Sequence, residues 1–172
     1  MSLIYIRQAA KNDLDQIMPI INEAKKFLKK DGNPQWQSGY PDLKTITADI
    51  ENEEAWVLIV DQNIAGYTAV TSGPDPNYHQ IDGRWKNDVD PYVAIHRVAI
   101  SSEYRGMHLA SYLLTGLISM HYDQGVRNYR VDTFRENEIV QHLVEDARFV
   151  ERGTIKNDDP IDPYRLAYEL NL

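Results

Sequence analysis

The sequence predicts one α/β domain of the α+β kind, with a central mixed, mostly antiparallel sheet of about seven strands and about four flanking helices. Three observations carry this. Short β-rich runs alternate with segments whose apolar residues recur at helical spacing. Strand–helix–strand units in the C-terminal half imply right-handed crossovers, and so a parallel pair within the sheet. The length of 172 residues suits a single core, and no repeat, linker or low-complexity tract divides it, so the domain is taken as 1–172.

The elements follow in order. Residues 3–9 (LIYIRQA) read as a first strand. Leu14, Ile17, Ile21, Ala24 and Leu28 then keep helical spacing, with Asp13 placed as an N-cap. Pro19 lies inside this helix and should bend it. Asp31-Gly32-Asn33-Pro34 is a stop signal, and residues 33–42 form a loop. Leu43, Ile46 and Ile50 suggest a short second helix. In AWVLIVDQNIAGYTAV two β-rich runs flank Asp61-Gln62-Asn63, a tight hairpin turn without the usual glycine. Residues 73–91 (GPDPNYHQIDGRWKNDVDP) read as a long irregular excursion, and such loops are usually functional. YVAIHRVAI (92–100) is nearly all apolar, which predicts a central strand buried on both faces. A strong helix is expected over 105–123, a strand over 128–134 and a helix over 139–147. Strands near 148–155 and 164–171 close the chain.

Composition narrows the function. Lys and Arg number 18 against 26 Asp and Glu, a net charge of −8. An acidic surface repels phosphate backbones, so nucleic acid is not expected as a partner, whereas a cationic partner suits it. There is no cysteine, which excludes disulfides, thiolate metal sites and a cysteine-linked covalent intermediate. His79, His121 and His142 lack metal-ligand spacing and no HExxH is present, so no metal is expected. No apolar run reaches the ~18–20 residues of a membrane span and no signal peptide is evident. A cytoplasmic protein without membrane association is expected.

The informative stretch is 92–116, YVAIHRVAISSEYRGMHLASYLLTG. A strand runs through a turn containing Gly106 into the strongest helix. Unpaired amides and the positive dipole end at such a helix start make a pyrophosphate cradle. A plain strand-to-helix turn, with Gly106 for tightness, is the alternative.

HRVAISSEYRGMHLASYLL resembles the acetyl-CoA-binding motif of the GNAT (Gcn5-related) N-acetyltransferase superfamily, Arg/Gln-x-x-Gly-x-Gly/Ala, in the manner of its bacterial members. Arg105 matches the first position and Ala110 the last. VDTFRENEIVQHLVEDARFVERG resembles the later strand–helix–strand unit of the same superfamily, and the element order agrees throughout. The resemblance implies the GNAT fold with its central strand pair splayed, acetyl-CoA as cosubstrate, and often a homodimer. It implies cofactor contacts from Val98, Ala99 and Ile100 on the central strand. Further contacts would come from Arg105, Gly106, Met107, His108, Leu109, Ala110 and Ser111 at the helix start, and from Asn137. Taken alone, Asn137 reads equally as an N-cap.

Three positions depart from the family pattern. His108 stands where glycine is usual. Arg148 replaces the glycine before Phe149. Val144 stands where many members carry a tyrosine that protonates the departing thiolate. A thiol of pKa ~8.5 still leaves tolerably as its anion.

The reaction needs a base, because an amine of pKa near ~10 arrives protonated. His96 on the central strand is the candidate, resembling the base histidine of arylalkylamine N-acetyltransferases; a structural histidine bonded to a neighbouring loop is the other reading. Trp36, Tyr40, Tyr78, Trp85 and Tyr92 cluster in or beside the two irregular loops. With nearby Asp82, Asp88 and Asp90 they suggest either aromatic and charged walls for a small cationic or aromatic amine or mini-cores that anchor the loops. The expected activity is direct acetyl transfer from acetyl-CoA to a small primary amine. A non-catalytic acyl-CoA-binding module and acetylation of a peptide or protein amine are the alternatives.

Overall fold

A computed structural model describes all 172 residues. Eight strands form one sheet: β1 (Ile4–Gln8), β2 (Ala55–Val60), β3 (Asn63–Ser72), β4 (Ile81–Gly83), β5 (Val93–Ile100), β6 (Asn128–Thr133), β7 (Val150–Lys156) and β8 (Tyr164–Asn171). Their spatial order is β1-β2-β3-β5-β6-β8-β7-β4. Only β5 and β6 run parallel; the other neighbouring pairs are antiparallel. Four helices flank the sheet: α1 (Leu14–Lys30), α2 (Leu43–Glu51), α3 (Leu109–Asp123) and α4 (Glu138–Asp146).

Side-chain alternation divides the core. Val57 and Ile59 pack with Ile17 and Ile21 of α1 and Ile46 of α2. Leu58 and Val60, pointing the other way, share a core with Leu113 and Leu117 of α3 and Val144 of α4. Both faces of β2 are therefore covered, which is why AWVLIV is apolar without alternation. The β2–β3 hairpin closes through Asp61, which adopts φ 56°. Its carboxylate accepts from the Leu3 N–H at 2.9 Å, so aspartate serves where glycine is usual.

The sheet has eight strands rather than the expected seven. The extra one, β4, lies inside the excursion predicted to be irregular and pairs with β7. Three residues are too few to show a period. The pairing is also unusually close: a Cβ on Gly83 would meet the Arg152 carbonyl at 2.1 Å and one on Gly153 the Asp82 carbonyl at 2.1 Å. Glycine on both strands permits it. Tyr78, Trp85, Ala94, Ile155 and Ala167 form a small core beneath this segment.

Two helix starts also differ from expectation. Helix α3 begins at Leu109, four residues later than expected, because Gly106 (φ 80°) and His108 (φ 54°) hold the preceding turn left-handed. Asp13 does not cap α1 through its side chain. It turns back instead, accepting from the Ala10 N–H at 2.7 Å and from Arg7 at 2.7 and 2.9 Å, and so fixes the 3-10 turn Lys11–Asp13. Helix α1 then runs unbroken through Pro19.

The hydrogen bond from Arg7, helped by the Ala10 N–H against partial burial, holds the Asp13 carboxyl below the usual carboxylate range. A depressed carboxylate contributes stability that is present above its ordinary pKa and is lost as pH falls through the folded value. Asp13→Asn should therefore be less stable at neutral pH and show a shallower loss of stability below about pH 4. Denaturant titrations of both proteins across pH 2–6 check this.

Candidate active site

The site begins with an interrupted ladder. Strands β5 and β6 pair only at Val93–Tyr129 and Ala94–Arg130. Beyond Ala94 they diverge, and a cavity of about 440 Å³ opens between them. Its walls are Ile95 and Arg97–Ile100 of β5, Val131–Thr133 of β6, the α1 residues Glu23, Ala24, Phe27 and Leu28, and Ile139, Val140 and Leu143 of α4.

A β-bulge lies on β5 at the mouth of this gap. Ala69 pairs with His96 and Tyr67 with Ala99, so Thr68 faces two residues, Arg97 and Val98. Arg97 adopts φ 56°, a conformation costing a non-glycine residue ~1–2 kcal/mol. Its side chain compensates. Arg97 Nε donates to Asp49 Oδ2 at 2.9 Å and Nη2 to Asp49 Oδ1 at 2.6 Å. Such a planar two-bond pair is among the stronger charge-assisted contacts. Asp49, on α2, also accepts from the Tyr67 hydroxyl at 2.5 Å. Thr68 Oγ1 donates to the His96 carbonyl at 2.8 Å. The bulge opens the middle of β5, leaving His96, Arg97 and Val98 only half-buried, so the strand is not covered along both faces as its composition suggested.

A second cavity of about 560 Å³ adjoins the first. Gln35, Trp36, Arg97 and Asp132 line both, so a molecule in the cleft between β5 and β6 meets one in the second cavity at these four residues. His96 lines the second cavity. Its Nε2 lies 3.5 Å from Asp75 Oδ2 and its Nδ1 3.9 Å from Asp132 Oδ2. Tyr78 stacks on the imidazole at a centroid distance of 6.3 Å and donates its hydroxyl to Asp132 Oδ2 at 2.7 Å. Burial, reinforced by Asp132, pushes the Tyr78 phenol well above its ordinary range, so it remains a donor. The His96 contact, together with the Asn77 N–H and against burial, holds the Asp75 carboxyl below the usual range, so it is ionised at neutral pH. Of the aspartates in this cavity, Asp159 pairs with Arg165, whereas Asp75, Asp132 and Asp158 have no Lys or Arg within ion-pair distance. The second cavity therefore presents net negative potential beside the junction.

The turn after β5 offers the other half of the site. The first amide of α3 to donate within the chain is that of Tyr112, to the His108 carbonyl. The N–H groups of Gly106, His108, Leu109, Ala110 and Ser111 have no acceptor in the protein. Those of Arg105 and Met107 are spent on the turn, donating to the carbonyls of Ser102 and Tyr104. Ser102 is in turn tied to Glu23 of α1 through its N–H at 3.0 Å and its hydroxyl. Arg105 and Ala110 line the cleft cavity. Clustered free amides at a helix N-terminus beside an elongated cleft fit a diphosphate-bearing cofactor such as acetyl-CoA.

The structure thus brings together Val98, Ala99, Ile100, Arg105, Ala110 and Asn137 around the cleft. Gly106, Met107, His108 and Ser111 lie on the exposed turn, and the Leu109 side chain points into the core. Asn137 caps α4, accepting from the Val140 N–H at 3.2 Å, and also donates to Gln35 Oε1 at 2.5 Å. Trp36 and Tyr40 line the second cavity. Tyr78, Trp85 and Tyr92 do not. Arg130 fills the space between the last two, 3.9 Å from each ring centroid, and Trp85 Nε1 donates to the Tyr78 carbonyl. These three rings are a mini-core around the protein's own cation, and only Tyr78 touches the site, through His96 and Asp132. Residue composition alone did not single out Arg97, Asp49, Asp75 and Asp132. The signal available was an arginine beside His96 in an otherwise apolar strand, a buried charge that requires a partner.

His108 and Arg148 are explained together. Both adopt left-handed backbone, φ 54° and 69°, at the two positions where the family pattern has glycine. The backbone of the pattern is kept at a cost in strain, and histidine is among the residues that tolerate this region better. His108→Gly should raise stability by up to about 1 kcal/mol, since relief of strain outweighs the added freedom of the unfolded chain. Its acetyl-CoA affinity should stay within a few-fold, because the exposed ring does not line the cleft. Thermal denaturation and titration calorimetry of the variant test both statements. Bulky replacement of Gly106 and Ala110 together should leave the fold and abolish binding, read by the same calorimetry.

Comparison with known proteins agrees with this geometry. The acetyltransferase (GNAT) family profile matches residues 17–148. A GNAT-family acetyltransferase from Streptococcus agalactiae is 38% identical, with 98% of this chain and 95% of that one covered and a TM-score of 0.90. A GNAT-family acetyltransferase from Listeria monocytogenes shares the fold at 18% identity, TM-score 0.75, over the whole of both chains. So does the PaiA N-acetyltransferase of Thermoplasma acidophilum, solved in complex with coenzyme A, at 14% identity, TM-score 0.72 and 99% of each chain. Among curated proteins no sequence matches. A match over most of the chain, a close structural relative and a splayed β5–β6 pair lead to one conclusion: the chain belongs to the GNAT family of acetyltransferases, whose acetyl donor is acetyl-CoA.

Proposed function

We propose that this acetyltransferase acetylates the primary amine of a small cationic acceptor, held in the second cavity, with His96 as general base. The observation that carries the reading is the set of lining carboxylates with no Lys or Arg within ion-pair distance, Asp75 and Asp132 around His96 together with Asp158, in the cavity that joins the cleft. Acetyl-CoA supplies an activated thioester. The free amides of Gly106, His108, Leu109, Ala110 and Ser111 would hold its diphosphate, and the open edge of β5 around Val98 to Ile100 would hold its arm.

The residues of the second cavity do the rest. An ammonium is drawn in by Asp75, Asp132 and Asp158, with Trp36 and Tyr40 offering aromatic faces. To react it must lose a proton. The His96 imidazole takes that proton directly or through one water. Asp75 and Asp132 on its two sides hold the ring's orientation and stabilise the imidazolium that results. The nitrogen lone pair then attacks the acetyl carbon, the nitrogen releases its second proton to water, the C–S bond breaks, and the electron pair stays on sulfur. No cysteine is present to carry an acetyl group, so donor and acceptor must meet in one complex. The loops lining the second cavity leave room for a small molecule and favour it over a protein lysine.

His96→Ala should lower kcat by roughly 10²–10⁴-fold, remove the ionisation near neutral pH from the pH–rate profile, and leave acetyl-CoA affinity nearly unchanged. A purely structural histidine would instead lower thermal stability and keep the profile. Initial rates with a panel of a diamine, a neutral aromatic monoamine and a short peptide test the acceptor class. The highest kcat/KM should fall on the amine carrying a second positive charge, and preference for the peptide would contradict the assignment.

A further inference from the structure

One buried polar atom of a residue that lines the cleft makes no hydrogen bond within the protein. Thr133 ends β6 and is 1% exposed, and its Oγ1 is buried without a hydrogen-bond partner. Other threonines in the protein satisfy theirs: Thr68 donates to the His96 carbonyl, Thr47 to that of Leu43 and Thr115 to that of Ser111. A lone buried hydroxyl is destabilising, and valine would fill the same volume without the penalty. Val131, two residues earlier and on the same face of the strand, is apolar and buried. Packing therefore does not account for a hydroxyl at position 133.

Its location suggests a ligand for it. Thr133 lines the cleft cavity on the β6 side, opposite the bulged segment of β5, and follows directly on Asp132 at the junction of the two cavities. The reacting thioester belongs at this junction. Helix α4 lines the same cavity with Ile139, Val140 and Leu143 and contributes no hydroxyl. Val144, standing where the family pattern often has a tyrosine, is 1% exposed and packed in the core.

We propose that Thr133 Oγ1 is the hydrogen-bond donor to the coenzyme sulfur. The assignment rests on the reading of the cleft as the acetyl-CoA site. In the transfer the ammonium first gives one proton to His96, the nitrogen then bonds to the acetyl carbon and releases a second proton to water, and the C–S bond breaks with its electron pair on sulfur. Thr133 keeps its proton and shares it with the thiolate as an O–H···S⁻ hydrogen bond; a thiol of pKa ~8.5 is then reprotonated from solvent after release. The hydroxyl thus does by hydrogen bonding what an acid would do by proton transfer.

The test compares Thr133→Val, which removes the hydroxyl at constant shape, with Thr133→Ser, which keeps it. Affinities for coenzyme A and for desulfo-coenzyme A, which lacks the sulfur, are measured by calorimetry, beside kcat. The wild type should bind coenzyme A more tightly than the desulfo compound. Thr133→Val should lose that preference, bind the desulfo compound as the wild type does, and lose about tenfold or more in kcat. It should melt at or above the wild-type temperature, and Thr133→Ser should keep both the preference and most of the rate. Retained preference and rate in Thr133→Val, or equal losses in the valine and serine variants, would overturn the assignment. Wild-type binding of the desulfo compound, and its loss in Ala110→Trp, reports separately on the cleft. If that binding survives in Ala110→Trp, the cleft reading falls and the role of Thr133 falls with it.

Discussion

The parallel ladder between β5 and β6 stops after Ala94, and the rest of the site depends on that stop. A continued ladder would bring Val131–Thr133 against Ile95–Arg97 and leave no cleft. The strands are kept apart by the bulge at Arg97 and Val98, and the bulge is held by a charge. A left-handed arginine in a central strand is unfavourable by itself. It persists because the guanidinium is fixed by both oxygens of Asp49, which the Tyr67 hydroxyl also engages. Helix α2 acts on the site through this pair. Removing Asp49 would leave a buried cation uncompensated, a loss that exceeds what a surface ion pair is worth.

The same feature divides the chemistry between two cavities. On one side, free amides, apolar walls and a helix N-terminus suit a long cofactor with a diphosphate. On the other, carboxylates and two aromatic rings suit a compact cation. The two meet only at Gln35, Trp36, Arg97 and Asp132. Gln35 is tied to the α4 cap through Asn137, and Arg97 to α2 through Asp49. Helices on both faces of the sheet thus hold the meeting point, a rigid setting that favours orientation of two reactants.

Much of the fold was legible because its signals are local. Helical spacing gave all four helices, and β-rich runs gave seven strands. The 105–116 segment showed, as a motif, the glycine-containing turn whose amides stay free at the start of α3. What escaped was non-local or conformational. Strand β4 is three residues long and exists because Gly83 and Gly153 face each other across 70 residues of sequence. The bulge uses an arginine, a residue type that does not announce positive φ. Tyr78, Trp85 and Tyr92 have the composition of a binding wall, yet Arg130 already lies between two of them. Asp75 and Asp132 reach His96 from separate parts of the chain, so the charge of the second cavity follows from the fold rather than from any one segment.

A gap between β5 and β6 that takes the coenzyme arm must place the thioester at the junction of the two cavities. A crystal structure with bound acetyl-CoA tests it most directly. The diphosphate should lie on the free amides of Gly106 and of His108 to Ser111, the arm along β5 at Val98 to Ile100, and the acetyl group beside Arg97, Asp132 and Thr133, opening toward His96. An arm that runs outside the β5–β6 gap, or an acetyl group separated from the second cavity by closed strands, would contradict it.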